Sequence, residues 1–308
     1  MKIVVFGTGG VGGFFGGKLA LSGHDVTFVA RGKHLDAIKR KGLRVKSING
    51  DFHINVKAVE TLNRQHSADL VLVAVKSWQL SQVSEAIKPV LGPNTLVLPL
   101  LNGADIADRL RKLIDPSHVV AGLCRIVSRI ESPGIIDHFA FQKPEIIFGL
   151  EDRSSSKPLK RIKAVFDKAG IHNKLSDDID LDIWKKFLFI TMISGMGALT
   201  RSSFGVMREN EHIRNLIYQT ANEIVAIANA KNIKLDNTDI EKSFVAIDAT
   251  LYSTTASMQR DIMEGRPSEL DNFNGYIVRQ GRQLHITTPL NTFIYYCLLP
   301  QENKARGL

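Results

Sequence analysis

The sequence predicts a doubly wound α/β domain over residues 1–176 followed by an all-helical domain over residues 177–308. Three observations predict this. Apolar runs alternate with helical patterns through the first half, as parallel βα units require. A glycine-rich turn joins the first apolar run directly to the first helix. From about Asp177 strand-like runs give way to long helical ones. An N-terminal sheet of this kind is of the Rossmann type.

The stretch from Met1 to Arg31 carries the turn. Lys2 to Phe6 reads as a short apolar strand and is followed at once by Gly7-Thr8-Gly9-Gly10-Val11-Gly12. A helical run reaches Leu21-Ser22, Gly23 closes it, and Val26 to Ala30 forms a second strand ending on Arg31. In this order of glycines Gly7 allows the tight turn, Gly9 lets a pyrophosphate approach the backbone, and Gly12 lets helix and strand pack closely. The helix N-terminus adds free N–H groups and partial positive charge for the phosphates. At the end of the second strand an NAD site usually carries an acidic residue for the ribose hydroxyls. Arg31 instead suits a 2′-phosphate and favours NADPH/NADP+, with Lys33 nearby. The alternative for Arg31 is a solvated surface charge, which is common.

The remaining elements follow in order. Lys33 to Lys41 reads as a short helix. Leu43–Ile48 and Asp51–Val56 alternate on either side of Asn49-Gly50, a hairpin signal because both turn residues tolerate positive φ. Asp69 to Val75 is a near-continuous apolar run, as a strand buried on both faces requires, and it stops at Lys76-Ser77-Trp78-Gln79. A helical pattern runs to Ile87 and is broken by Pro89 and Gly92-Pro93-Asn94. Thr95 to Leu100 is a further buried strand, ending at Leu101-Asn102-Gly103. Ligands of such sheets bind at the carboxyl ends of the strands, so Lys76 and Asn102 are expected to face the same crevice as the glycine turn. Ala104–Ile114 reads as a helix. Val119–Ile130 and Ile135–Phe148 read as antiparallel strands finishing the sheet, Glu151–Lys157 as a linker, and Pro158–Lys168 as a helix. In the second domain helices are expected at Leu181–Leu199, Glu211–Ala230, Thr238–Ala249, Ser253–Glu264, Glu269–Gln283 and Pro289–Leu299, with a frayed polar tail from Pro300 to Leu308. The Leu181–Leu199 helix is unusually apolar and contains Gly195 and Gly197, which places it in the interior with close neighbours.

Composition narrows the function classes. The 308 residues are 44% hydrophobic and 23% charged, ordinary for a globular protein with two domains. The net charge is +9. Its short basic runs, such as Lys39-Arg40-Lys41, lack interleaved aromatics, so a solvated basic face is expected and no nucleic-acid site. A positive field favours anionic ligands such as NADP and a carboxylate substrate. Cys124 and Cys297 lack metal or redox spacing, so neither a disulfide framework nor a metal site is expected. The nine histidines form no ligand-like cluster and read as structural or solvated. No apolar run approaches the ~20 residues that span a bilayer, and the chain opens directly on a strand. A cytoplasmic protein with no membrane partner is the expectation, and a homodimer is left open.

A nicotinamide domain implies hydride transfer, for which the protein must supply orientation and a proton. Reduction of a ketone develops negative charge on oxygen and needs a general acid there. Lys186 is the candidate. Helical spacing places it on one face with Ile190 and Ser194. A lysine heading so apolar a face either serves a site or snorkels out of the core. Desolvation lowers a lysine's pKa and a nearby carboxylate raises it, and a working acid needs the two in balance. Glu269 is the candidate carboxylate, with stabilisation of a helix N-terminus as its alternative role.

Taken together, these residues resemble the 2-dehydropantoate 2-reductase (ketopantoate reductase) family over nearly the whole chain. The ordered set is Gly7-Thr8-Gly9-Gly10-Val11-Gly12 with Arg31, Val75-Lys76-Ser77-Trp78-Gln79, Leu101-Asn102-Gly103, Trp184-Lys185-Lys186, Ser257-Met258-Gln259-Arg260-Asp261 and Glu269-Leu270-Asp271-Asn272-Phe273-Asn274-Gly275. The resemblance implies NADPH-dependent reduction of a 2-oxo acid, 2-dehydropantoate giving (R)-pantoate in pantothenate biosynthesis. It implies Lys186 as general acid, Glu269 as the acidic residue supporting it and the substrate hydroxyl, Asn102 and Lys76 on the cofactor and substrate sides of the crevice, and Ser257 as a substrate contact. The pattern departs at the pocket: Ile190 and Ser194 stand where the family carries asparagines one and two turns after the lysine, and Thr254 where it carries another. Reduction of a different 2-oxo acid, and an NADP-binding sensor without turnover, are the alternative readings. Intact Lys186 and Glu269 argue against the sensor.

Overall fold

Strand β1 (Lys2–Phe6) is flanked on both sides, by β2 (Asp25–Val29) and by β6 (Ala68–Val73), each parallel to it. That is why Ile3, Val4 and Val5 are all buried, with no polar alternation between them. In this computed structural model, which describes residues 1–152 and 156–308, β5 (Lys57–Val59) and β7 (Leu91–Pro99) complete a five-stranded parallel sheet of order β5-β2-β1-β6-β7. Residues 153–155 of the expected Glu151–Lys157 linker lie outside the described residues. Helices α1 (Gly10–Leu21), α2 (Gly32–Lys41), α3 (Leu80–Ile87) and α4 (Ile106–Arg111) fall between the strands. This is the Rossmann-type doubly wound sheet that the alternating pattern predicts.

The Asn49-Gly50 hairpin forms as expected: β3 (Leu43–Ser47) pairs antiparallel with β4 (Phe52–Ile54), and Gly50 takes φ +103°. The strands β8 (Ala121–Ser132) and β9 (Ile135–Gly149) also pair antiparallel. They do not, however, finish the first sheet. They build a second one, of order β10-β9-β3-β4 with β8 on β9, where β10 is His172–Leu175. Between the first sheet and the start of β8 there is, among the described residues, a single parallel bridge, Val97 to Val119. The physical reason lies in the hairpin itself. Its register shifts between Arg125 and Val127, between Val127 and Ser128, and between Ile130 and Ser132, and such bulges bend and twist a strand pair out of plane.

Helix α1 is packed between the two sheets, and its five glycines make that possible. A Cβ on Gly12 would lie 2.1 Å from the Gly7 carbonyl oxygen, and one on Gly16 would lie 2.6 Å from the Phe28 ring, both on the first-sheet side. On the other side a Cβ on Gly13 would meet Ile136 at 2.6 Å and one on Gly17 would meet Phe52 at 2.9 Å. Each glycine costs a helix interior roughly 0.8–1 kcal/mol relative to alanine, so α1 is held by this packing rather than by propensity. Helix α5 (Lys157–Lys168) covers the second sheet, with Phe166 edge-on to Phe148 at 5.6 Å.

The chain divides into two compact units, Met1–Ile179 and Asp180–Leu308. The second is all-helical: α6 (Ile179–Thr200), α7 (Phe204–Glu209), α8 (Glu211–Ala230), α9 (Asn237–Asp248), α10 (Ser257–Met263), α11 (Asn274–Leu284) and α12 (Pro289–Arg306). Three expectations are corrected. The helix expected from Glu269 begins at Asn274, leaving Glu269 in the turn before it. The helix expected from Ser253 begins at Ser257. The tail is not frayed: α12 continues through Pro300 to Arg306 because Glu302, 3% exposed, is bonded to Ser268. Among the described residues no helix is long and apolar enough to cross a membrane, and no group of His, Cys, Asp and Glu could hold a metal ion.

Gly12→Ala places a methyl against backbone that cannot move aside, and is expected to destabilise by about 1–3 kcal/mol despite the helix propensity gained, read by chemical denaturation. His34 on α2 accepts a hydrogen bond from the Gly134 N–H at Nδ1 (3.0 Å), so Nε2 carries the proton and donates to the Thr8 carbonyl (2.8 Å). Burial lowers its pKa from the usual 6.5, opposed by the bond to Thr8. The unfolded chain therefore takes up this proton first as pH falls. The stability contributed by neutral His34 is complete above about pH 6.5 and is lost below it, through the lowered folded value. His24, also lowered by burial and by the N-terminal and Lys168 charges, acts in the same direction. The thermal midpoint is expected to fall as pH drops below that value, and less steeply in His34→Gln. Equal slopes would mean that His34 does not titrate there.

Candidate active site

All the strands of the first sheet point the same way, so their carboxyl ends share one edge. Phe6 is in register with Val29 and Val73, and Val73 with Pro99. The chain just past these ends continues the ladder: Gly7 N–H donates to Val29 O, Ala74 N–H to Phe6 O, and Leu100 N–H to Val73 O. Gly7, Arg31, Lys76 and Asn102 therefore leave from neighbouring points on this edge. The chain turns to opposite sides of β1, toward β2 and toward β6, which makes the edge beside β1 the switch point where such sheets bind ligands.

The glycine turn is shaped by two demands. Gly7 sits at φ +97° with the Ala74 carbonyl 2.5 Å from where its Cβ would be, and Gly12 abuts Gly7; no larger residue fits at either. Thr8 is buried and its hydroxyl donates to Val29 O at 2.9 Å, tying the turn to β2. Gly9 differs. A Cβ there would meet no atom within 4 Å, so protein packing does not require glycine. Gly9 is the N-cap of α1. No side chain caps this helix among the described residues, and its first turn, Gly10-Val11-Gly12-Gly13, holds no acidic residue. An open space over glycine at an uncapped helix N-terminus fits a pyrophosphate. Arg31 is exposed at the N-cap of α2. Lys76 is half-buried, with Nζ 5.7 Å from the centre of the Trp78 ring. Asn102 is half-buried and precedes Gly103 at φ +138°. These residues fit a dinucleotide with a phosphorylated ribose.

In the second unit α6 places Lys186, Ile190 and Ser194 on one face, the first two half-buried and the third buried. Lys185, about 100° round the helix from Lys186, is committed elsewhere, to the buried Asp239 at 3.3 Å. The neighbours of Lys186 in the chain anchor the helix. Trp184 and Phe187 pack against Tyr276, and Phe187 is edge-on to Phe273 at 6.1 Å. Phe273 N–H in turn donates to the Glu269 carbonyl at 2.9 Å. The backbone segments that carry Lys186 and Glu269 are thus packed together through these rings. Glu269 itself is 6% exposed. The interior position expected of Gly195 and Gly197 is what the packing requires: a Cβ on Gly195 would lie 2.6 Å from Asn274 Oδ1, and one on Gly197 would lie 2.6 Å from Gln259 Oε1. Gln259 brings the start of α10 against α6, with Ser257 exposed at its first position and Thr254 half-buried just before it.

Sequence reasoning did not find what surrounds Glu269. Ser268 donates its N–H and its hydroxyl to the buried Glu302 carboxylate, and its carbonyl accepts from Arg306. The one sequence signal was the i, i+4 spacing of Glu302 and Arg306, which are bonded at 2.7 Å; it suggests a helix but not its partner. The role of His34 beneath Thr8 had no signal beyond a histidine near a turn.

Known proteins share this fold over nearly the whole chain. The family model described as ketopantoate reductase PanE/ApbA matches residues 3–152, and the model of its C-terminal domain matches residues 178–302. A 2-dehydropantoate 2-reductase of Pyrococcus horikoshii is 25% identical over 307 residues, covering 100% of this chain and 99% of its own. An uncharacterized oxidoreductase of Bacillus subtilis, YkpB, is 28% identical over 295 residues, 96% of this chain and 97% of its own. The crystal structure of a PanE/ApbA family ketopantoate reductase from Ralstonia eutropha superposes with a TM-score of 0.89 at 29% identity, covering 99% of this chain and 100% of that one. The fold is shared more widely: D-mandelate dehydrogenase with NADH and anilino(oxo)acetate gives 0.91 at 23% identity over 99% of each chain. The chain belongs to the ketopantoate reductase family and is an NADP-dependent oxidoreductase.

Proposed function

We propose that the protein reduces a 2-oxo acid to the 2-hydroxy acid, with 2-dehydropantoate giving (R)-pantoate as the first assignment and pantothenate biosynthesis as its setting. The observation that carries the reading is the packing of α6 against the 269–276 segment, which seats Lys186 and Glu269 on touching elements. The first unit would hold the cofactor. Gly7, Thr8, Gly9, Gly10, Val11 and Gly12 receive the pyrophosphate, Arg31 the 2′-phosphate, and Lys76 and Asn102 line the crevice. The second unit would supply the proton and the substrate contacts at Ser257, Ile190 and Ser194.

When bound, NADPH supplies the hydride that reduces the carbonyl carbon. The protein must then manage the charge that develops on oxygen. The Lys186 ammonium donates its proton to that oxygen and is reprotonated from solvent, so the product leaves as a neutral hydroxyl beside its carboxylate. Glu269 orients the ammonium and accepts a hydrogen bond from the substrate hydroxyl.

A second reading, reduction of a different 2-oxo acid, is favoured by Ile190. It makes one turn beyond Lys186 apolar where a hydrogen-bonding amide would reward a substrate hydroxyl.

NADPH oxidation with 2-dehydropantoate and a panel of other 2-oxo acids tests both readings. Turnover is expected, falling by ~10²–10⁴ in Lys186→Ala with NADPH binding retained. Turnover only with other 2-oxo acids supports the second reading, and a fully active Lys186→Ala removes the lysine from the mechanism. For the cofactor, Arg31→Ala is expected to weaken NADPH binding by about 10- to 100-fold, the worth of a charged hydrogen bond, and to leave NADH binding little changed. Equal losses for the two cofactors would remove Arg31 from the 2′-phosphate.

A further inference from the structure

We propose that Glu302, on the C-terminal helix, is a positioning residue for Glu269. The proposal rests on the catalytic role given to Glu269 above and adds the group that holds its backbone. Glu302 is 3% exposed, although it lies in a polar stretch, Gln301 to Arg306. Both its oxygens accept the Ser268 N–H, at 3.0 and 3.1 Å, and Oε2 also accepts the Ser268 hydroxyl at 2.5 Å. The Ser268 Oγ in turn accepts the Leu270 N–H at 3.2 Å. Arg306, one turn after Glu302, donates Nε to Oε1 at 2.7 Å and Nη2 to the Ser268 carbonyl at 3.0 Å.

Every polar group of Ser268 is therefore held by α12 or used to hold Leu270. Ser268 and Leu270 are the two neighbours of Glu269. On its far side the Glu269 carbonyl accepts the N–H groups of Asn272 and Phe273, at 3.0 and 2.9 Å. The turn cannot rotate about Glu269 without breaking bonds on both sides. A carboxylate is the group this task requires. It accepts from three donors at once with no donor of its own, whereas an amide would turn its NH₂ toward either Ser268 or Arg306. Burial of the charge is compensated by Arg306, whose side chain is 24% exposed and keeps contact with solvent.

The test is a double-mutant cycle on turnover, using NADPH and the 2-oxo acid that the panel finds best. Glu302→Gln alone is expected to lower kcat on the order of 10- to 100-fold, the cost of a displaced reacting group, with the KM for NADPH unchanged. In a Glu269→Gln background the same change is expected to cost less than about twofold, because the group being positioned is already gone. A purely structural role predicts the same fold-loss on both backgrounds, and that result, or an unchanged kcat in Glu302→Gln, overturns the proposal while leaving the function intact. A fully active Glu269→Gln, or no turnover with any 2-oxo acid, removes the role of Glu269 first and this proposal with it. Should Glu302→Gln fail to fold, Ser268→Ala removes a single oxygen and is run through the same cycle, with the same non-additivity expected.

Discussion

The approach of Gly12 to the Gly7 carbonyl is the constraint on which the first unit is built. The chain must leave β1, reverse, and enter α1 within three residues. It can do so only because Gly7 takes positive φ and Gly12 has no side chain to strike it. That turn sets the height of α1 over the sheet, and the height lets Gly16 seat against Phe28 while Gly13 and Gly17 admit Ile136 and Phe52 from the second sheet. One glycine-rich segment thus closes two interfaces. It also leaves the first N–H groups of α1 at the carboxyl edge with no side chain drawn to them among the described residues. Packing accounts for every glycine in that row except Gly9, and the space over Gly9 leaves the backbone bare, as the proposed pyrophosphate would require.

The second unit reaches a similar end by different chemistry. Its interior is fixed by buried polar groups as well as by apolar ones. Asn274 donates to Asn291, which donates to Glu223, and Glu223 also takes the first N–H groups of α12. Glu302 holds the other end of that helix to Ser268. Such bonds add little net stability over an apolar core, but leaving any one of them unpaired is costly. The position of α12 is therefore specified at its N-terminal end against α8 and α11 and at its C-terminal end against the turn before α11. Glu269 inherits that specification from its neighbours in the chain.

Much of this was legible because the physics is local. Alternation and apolar runs marked the strands, Asn49-Gly50 marked its hairpin, and parallel strands oblige the residues after Phe6, Val29, Val73 and Pro99 to share an edge. The sheet to which β8 and β9 belong was not legible. Their pattern encodes two antiparallel strands, while the choice of partner depends on bulges and on contacts with β3 and β10 far away in the chain. The tail from Pro300 was misread for a related reason. A polar sequence with a proline reads as loose, and the contact that orders it joins residues 34 positions apart. Lys186 and Glu269 could be picked out as residue types in suggestive places, but the Phe187–Phe273 packing that joins their elements is a tertiary fact.

The apolar character of position 190 bears on substrate more than on reaction. The face of α6 grades inward from half-buried Lys186 and Ile190 to buried Ser194. In the function proposed above, proton delivery would depend on the first of these and on Glu269, and neither is altered by what stands one turn away. Selection among 2-oxo acids is different. A wall that hydrogen-bonds a substrate hydroxyl rejects analogues lacking it by about 10⁴–10⁵, because its own polar group is stranded when the partner is absent. An apolar wall separates ligands by only about 10- to 200-fold per methylene. On the proposed reading, with isoleucine in place of the family's amide, the sharper mechanism would be lost at that point. For a 2-oxo acid substrate, as proposed, discrimination would then fall to the groups that every 2-oxo acid shares, the carboxylate and the carbonyl, and to the fit of the side chain against an apolar surface. A site built as proposed would hold its reaction fixed while its tolerance for the substrate's side chain widens.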